Sequence, residues 1–240
     1  MKTKLFVGLA VLLLAVNCSP KLDAENVGKV VRATFNLTEK DRIEVTGIAK
    51  ETSGVMLVKF RINGTEVNSK MRKYDKGWQL DEVQNRLGGW IPATTIKDRF
   101  DPVAKMETVK ADIELIAYAL LTFLVVHEKF SFGGTLAFNE DSDVYKALCP
   151  LYVKSLPTFD PWGRPYSIIF GKGIGGSLLY GIPMDSYDDF FIFSFGRDGK
   201  MENWVYDPKN ERSGLYSLPD PDKDMVYLNG VFIRAPESWR

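Results

Sequence analysis

The sequence predicts an α+β fold in two parts. Three observations carry this expectation. A short helical pattern leads into strands of alternating polarity, a long helical stretch runs unbroken through the middle of the chain, and aromatic β-type segments separated by Gly- and Asp-rich turns follow residue 160.

The first element is Ala24–Phe35, where Val27, Val30, Val31 and Phe35 recur at helical spacing and form one apolar face. Residues 42–49 then alternate through Ile43, Val45 and Gly47. Residues 55–62 place Met56, Val58, Phe60 and Ile62 on one face and Lys59 and Arg61 on the other. Asn63-Gly64 follows directly; both residues tolerate positive φ, which favours a type I′ hairpin turn. Residues 65–74 are the return strand, Asp75-Lys76-Gly77 the next turn, and 78–83 the last strand of a meander. Gly88-Gly89-Trp90-Ile91-Pro92 interrupts this pattern and predicts the boundary between a small domain, 21–92, and a second domain, 93–240.

In the second domain Asp101 has the character of an N-cap and Pro102 that of a first helical residue. Neither Gly nor a further Pro occurs before about residue 126, which predicts a helix of roughly 25 residues, about 37 Å long. Ile113, Ile116, Ala117, Leu120 and Leu124 form one stripe, while Tyr118, Leu121 and Val125 lie on the opposite side. The helix is therefore expected to be covered on more than one side, and Asp112, Glu114 and Thr122 argue against a membrane span. Strands are expected at 166–170, 177–181 and 190–195, with a final ribbon over 225–233 turning at Asn229-Gly230. The second domain is thus one long helix packed on an antiparallel sheet.

Composition narrows the function classes. The chain has 240 residues, 45% hydrophobic and 26% charged, the balance of a packed globular protein. With 31 basic and 31 acidic residues it offers no basic field, so nucleic acid is not expected as a partner. One histidine and two cysteines are too few for a zinc site of the usual kind.

Met1-Lys2-Thr3-Lys4 followed by twelve uncharged residues, 5–16, reads as a secretory signal, because a bilayer-spanning helix needs roughly 20 apolar residues. Leu14-Ala15-Val16-Asn17-Cys18-Ser19-Pro20 resembles a bacterial lipobox, making 1–18 a signal segment ending in a lipid-attachment residue, Cys18. Ala15 and Asn17 stand where that pattern favours Leu and a small residue, so ordinary cleavage near Ala15 or Cys18 remains the alternative. Ser19, in place of an Asp retention signal, favours the outer membrane and a periplasm-facing anchor. Export removes Lys2 and Lys4 from the 31 basic residues and leaves 29 against 31 acidic. Cys149, flanked by Ala147, Leu148, Pro150 and Leu151, is then the lone thiol and reads as a core residue.

The helix and meander of 21–92 resemble cystatin-like and nuclear-transport-factor-like modules, which implies a binding or spacer role. The second domain carries three blocks. These are residues 111–123, which begin Ala111-Asp112-Ile113-Glu114-Leu115-Ile116-Ala117; residues 156–166, which end in Asp160-Pro161-Trp162-Gly163-Arg164-Pro165-Tyr166; and residues 189–200, a strand followed by Ser194-Phe195-Gly196-Arg197-Asp198-Gly199. In this order and spacing they resemble the globular domain of the major (G-type) pseudopilin of bacterial type II secretion systems. The second block also has a physical reading of its own. Pro161 and Pro165 fix φ, Gly163 permits a tight bend, and Trp162 and Tyr166 supply apolar area, so it is expected to be a structural corner. The resemblance implies a calcium site at Asp198, with Asp207 as a second oxygen ligand, although Met201-Glu202-Asn203-Trp204 replaces the family's glycine-rich run. The family's Gly-Phe-Thr-Leu-x-Glu leader and polymerising helix have no counterpart in the sequence, so the resemblance extends to the head alone.

The expected function is a non-catalytic, lipid-anchored envelope protein, a structural or protein-interaction component of a secretion or pilus-like apparatus with envelope proteins as partners. The alternative is a periplasmic binding or accessory lipoprotein of the same fold with no link to secretion. Other motifs have plainer readings. Gly171-Lys172-Gly173-Ile174-Gly175-Gly176 satisfies G-x-G-x-x-G, but strand-like residues and Pro183 follow it, so it reads as a glycine-rich hairpin. Asp220, Asp222 and Asp224 begin like an EF-hand, yet Met225 and Val231 occupy its Gly and Glu positions, leaving a solvated turn. His127, at the end of the long helix, suits the helix dipole, and Asp188 and Asp189 would diverge if adjacent on a strand.

Overall fold

The structure, a computed structural model, describes residues 22–130, 132, 134–171, 179–184, 186–210 and 212–240. The signal segment with Cys18, and residues 172–178 of the glycine-rich run, lie outside the described residues. The chain has an α+β fold, an N-terminal helix and meander followed by further helices and a second sheet. It divides into two compact units between Thr94 and Thr95, with Phe35–Leu37 counted in the second.

In the first unit α1 (Ala24–Phe35) buries Val27 and Val31, the inner face of the predicted helix. Five antiparallel strands follow in sequential order: β1 (Ile43–Thr52), β2 (Val55–Ile62), β3 (Thr65–Tyr74), β4 (Gly77–Gln84) and β5 (Trp90–Pro92). Val55, Val58, Phe60, Ile62, Val67, Met71, Leu80 and Val83 are buried apolar side chains of these strands. Ile62 pairs with Thr65 across Asn63 (φ 49°) and Gly64 (φ 87°), the two-residue turn that only such residues enter cheaply. The segment at Trp90 is more than a break. It returns as a fifth strand, with Glu82 opposite Pro92 and Gln84 opposite Trp90. The Asn85 side chain accepts from the amides of Leu87 and Gly89 and so folds the loop between them. On β1 the register slips at Thr46 and again at Glu51, one extra residue each time.

The second unit contains α2 (Lys97–Phe100), α3 (Pro102–His127), β6 (Gly134–Ala137), α4 (Asp143–Leu148), β7 (Ser167–Phe170), β8 (Phe190–Ser194), β9 (Leu215–Tyr216), β10 (Met225–Leu228) and β11 (Val231–Pro236). Its sheet runs β6-β7-β8-β10-β11-β9, antiparallel except for the edge pair β11–β9, which is parallel. Strand alternation gives the sheet two apolar faces. Ile168, Phe170, Phe190 and Ile192 join Ile113, Ile116 and Leu120 of α3 in one core. Ile169, Phe191, Phe193 and Val226 on the other face lie under Tyr180, Ile182 and Met184. These last come from coil: residues 179–181, expected to end a strand, form a turn with Tyr180 at φ 59°. Asp188 and Asp189 likewise precede β8 in turn and coil, and the Asp189 carboxylate accepts from Ser186 N and Asn229 Nδ2. The Cys149 thiol packs against the helix-side core, and burial pushes its pKa up.

Asp101 caps α3, its Oδ1 accepting from Val103 N at 2.9 Å and Ala104 N at 3.4 Å while Oδ2 accepts from Asn36 Nδ2 at 2.7 Å. The expected second cover of this helix is missing. Tyr118, Leu121 and Val125 are exposed, because no described segment packs on that side. Replacing the cap by Asp101→Ala removes the acceptor of two helix-end amides and of Asn36, so it should lower the second unit's stability by about 1–2 kcal/mol. Urea denaturation followed through the aromatic near-ultraviolet signal of the second unit checks this.

Candidate functional site

The three sequence blocks meet at one corner of the second unit. Two prolines remove two backbone donors from the 160–166 turn, and Gly163 supplies the positive φ (84°) the bend needs. The turn closes through Asp160 N to Arg164 O (2.7 Å) and Gly163 N to Asp160 O (2.9 Å). Its remaining inward donors, Trp162 N and Arg164 N, both reach Asp160 Oδ1 at 3.0 Å. The other oxygen of this buried carboxylate accepts from Ser194 Oγ at 2.8 Å, at the end of β8. One side chain thus satisfies the turn's leftover amides and fastens it to β8.

Arg164 makes the second fastening. Its Nη1 donates to Gly196 O and its Nη2 to Arg197 O, both at 2.9 Å. The approach leaves no room for a side chain at Gly199, whose Cβ would collide with the guanidinium and whose φ is 67°. Tyr166 makes the third: fully buried, it donates from its hydroxyl to Asp112 Oδ2 on α3 at 2.8 Å. Burial and then the Asp112 charge hold that hydroxyl far above the ordinary tyrosine range, while burial raises Asp112 despite the Tyr166 bond. Phe159 bridges to Pro165 across the base of the corner, and Trp162 packs against the helix-side core.

A second polar cluster lies beside β10 and β11, where Asp220, Asp222 and Asp224 were expected in a solvated turn. Asp222 instead pairs with Arg197, its two carboxylate oxygens accepting from Nε at 2.7 Å and Nη2 at 3.1 Å. Asp224 is fully buried. Its Oδ2 accepts from Tyr180 Oη and from Glu202 N, each at 2.7 Å, and its own amide donates to Glu202 Oε2 at 3.0 Å. Glu202 in turn receives Arg234 Nη2 on Oε1 (2.7 Å) and Arg234 Nε on Oε2 (2.9 Å), and Arg234 Nη1 donates to Gly214 O (2.8 Å). The guanidinium lies over the rings of Trp204 and Tyr216, 5.6 and 5.2 Å from their centres. The aspartates had looked solvated because alternating Asp with Pro and Lys is a turn composition. The groups that draw them inward, Arg197 for Asp222 and the Glu202–Arg234 pair for Asp224, stand outside that turn.

Asp198 and Asp207 are both exposed, and each spends one oxygen on its own turn, accepting from Lys200 N and from Lys209 N at 2.9 Å. Among the described residues no group of three or more His, Cys, Asp or Glu side chains gathers to hold a metal. His127 stacks on Phe123 at 4.2 Å and its Nε2 meets Tyr152 Oη at 3.0 Å, so the imidazole packs the end of α3.

In both clusters carboxylates, guanidinium groups and hydroxyls bond to backbone or to other side chains, contacts that fix loops in place. Sequence reasoning singles out the corner and the blocks that hold Arg164, Ser194 and Asp112, but not the bonds these three make, whose partners lie 32 to 54 residues away along the chain. The signal available was an arginine in the corner's variable place and a Ser-x-Gly turn downstream. Comparison with protein-family models, with curated proteins and with solved structures finds no match to this chain.

Two outcomes follow from these networks. Asp160→Ala strands two buried amides and the Ser194 hydroxyl, so the second unit should lose about 3 kcal/mol or more, measured by chemical denaturation. Asp224 gives a pH dependence. Burial raises its pKa from 3.8 to about 6, so the folded chain binds this proton more tightly than the unfolded chain. Its contribution to stability is complete below about pH 3.8 and is lost as the pH rises through 6. Melting temperatures compared between about pH 5 and about pH 7.5 should therefore differ less in Asp224→Asn than in the unaltered chain.

Proposed function

We propose that this chain is a non-catalytic, exported envelope protein, lipid-anchored at Cys18. On this reading its second unit is a head of the G-type pseudopilin kind, and the protein serves as a structural or protein-interaction component of a secretion or pilus-like apparatus. The observation that supports this most is the interlocking of the three blocks. Asp160 holds Ser194, Arg164 holds the carbonyls of Gly196 and Arg197, and Tyr166 holds Asp112, so residues separated in sequence act as one structural corner. Their polar groups are engaged in building a rigid platform, which is what a scaffold for protein contacts requires. The cationic start, the twelve uncharged residues and the lipobox-like stretch at Cys18 support export and anchoring.

Cys18→Ala should move the protein from the detergent phase to the soluble periplasmic fraction and abolish incorporation of labelled fatty acid. Unchanged detergent partition would overturn the anchor. Cross-linking in intact envelopes followed by affinity capture should recover pseudopilin or secretion-channel components. Recovery of unrelated envelope proteins alone would overturn the secretion link and favour an accessory lipoprotein of the same fold.

A further inference from the structure

The outer side of α3 carries the largest unexplained surface feature of the second unit. Tyr118, Leu121 and Val125 follow one another at three- and four-residue steps, the spacing of a helix seam, with Leu115 and Val126 along its flank. Their exposed fractions are 62%, 39%, 85%, 42% and 61% respectively. Together they leave on the order of 500 Å² of apolar surface in one patch, near the upper end of what a monomer leaves in water.

We propose that this face pairs with the same face of a second copy, α3 against α3, in an antiparallel two-fold arrangement centred on Tyr118. Area and charge both select this occupant. Two such patches remove about 1,000 Å² from water, which reaches the threshold of a specific interface. The charges along the seam bear on its direction. Glu107 and Glu114 are exposed on its N-terminal half, with the half-buried Lys110 near them, and Glu128 and Lys129 are exposed at its C-terminal end. A parallel pair would stack Glu107 on Glu107 and Glu114 on Glu114, a like-charge arrangement. The antiparallel pair brings Glu107 toward the partner's Lys129, sets Glu114 against the partner's Thr122, and lays the small Ala111 opposite the partner's Val125. Trp239 Nε1 donates to Glu107 Oε1 at 3.0 Å, which holds this carboxylate at the seam's acidic end. The pairing is independent of any role in secretion.

The test uses the full-length chain in detergent, by light scattering after size-exclusion chromatography. A dimer is expected, and Tyr118→Lys, which sets two ammonium groups face to face on the two-fold axis, should raise its dissociation constant at least tenfold without lowering the melting temperature of the dilute monomer. Because residue 118 meets its own copy, Tyr118→Cys should cross-link under mild oxidation much faster than Leu87→Cys, a collision control on an exposed site of the first unit. A monomer at high protein concentration, a dimer indifferent to Tyr118→Lys, or equal cross-linking of the two cysteine variants would each overturn the proposal. So would a monomer in which the thiol introduced by Tyr118→Cys becomes protected only when lipid vesicles are added, which would assign the face to a membrane surface instead.

Discussion

The second unit depends on one buried carboxylate. A turn that carries two prolines pairs only part of its own backbone, and it leaves two part-buried amides, Trp162 N and Arg164 N, without a main-chain partner. Asp160 answers both and still has an oxygen for Ser194. With the turn closed in this way, Arg164 is aimed at the carbonyls beyond β8, and Tyr166 is aimed at α3. The close approach then continues outward. Gly196 sits against the carbonyls of Pro221 and Lys223, where a side chain could not fit, and Arg197 grips Asp222. The order of the loop before β10 thus traces back, bond by bond, to the 160–166 turn.

The two faces of the six-stranded sheet are closed by different means. On one side α3 supplies a continuous row of aliphatic side chains, and burial of apolar area is enough to hold it. On the other, coil residues Tyr180, Ile182 and Met184 cover the strands, and coil has unpaired backbone groups that need partners. Tyr206 N meets the Tyr180 carbonyl, Asp224 holds the Tyr180 hydroxyl and the Glu202 amide, and Arg234, paired with Glu202, holds the Gly214 carbonyl. A buried ion pair of this sort adds little net stability over an apolar replacement, but it permits one arrangement of the loops and penalises others. Geometry, more than strength, is what this network contributes.

Much of the fold was legible because its signals are local. The apolar spacing of Ala24–Phe35, the Asp101-Pro102 start of α3, and the two Asn-Gly hairpins all act within a few residues of themselves. Elements defined by distant partners were not legible. Trp90–Pro92 reads as a break, since three residues with glycines before them make no strand pattern, and only β4 makes them one. The β9–β11 edge is two residues long and parallel, which no periodicity reveals. The pairing of half-buried Asp222 and the burial of Asp224 depend on Arg197, Glu202 and Arg234, none of which belongs to their turn, so composition alone points the wrong way. The exposed side of α3 reads as covered surface in the sequence, because hydrophobicity favours cover without saying which molecule provides it.

The two slips in β1 bear on how the first unit behaves in a crowded compartment. β1 forms one margin of its sheet, and a regular margin ten residues long would be an open invitation to any extended chain that drifts past. An extra residue at Thr46 and another at Glu51 throw the outward amides and carbonyls out of step with a straight guest. Fibril-like growth from this side is discouraged by the strand's own irregularity, and recognition of the unit is left to its side chains.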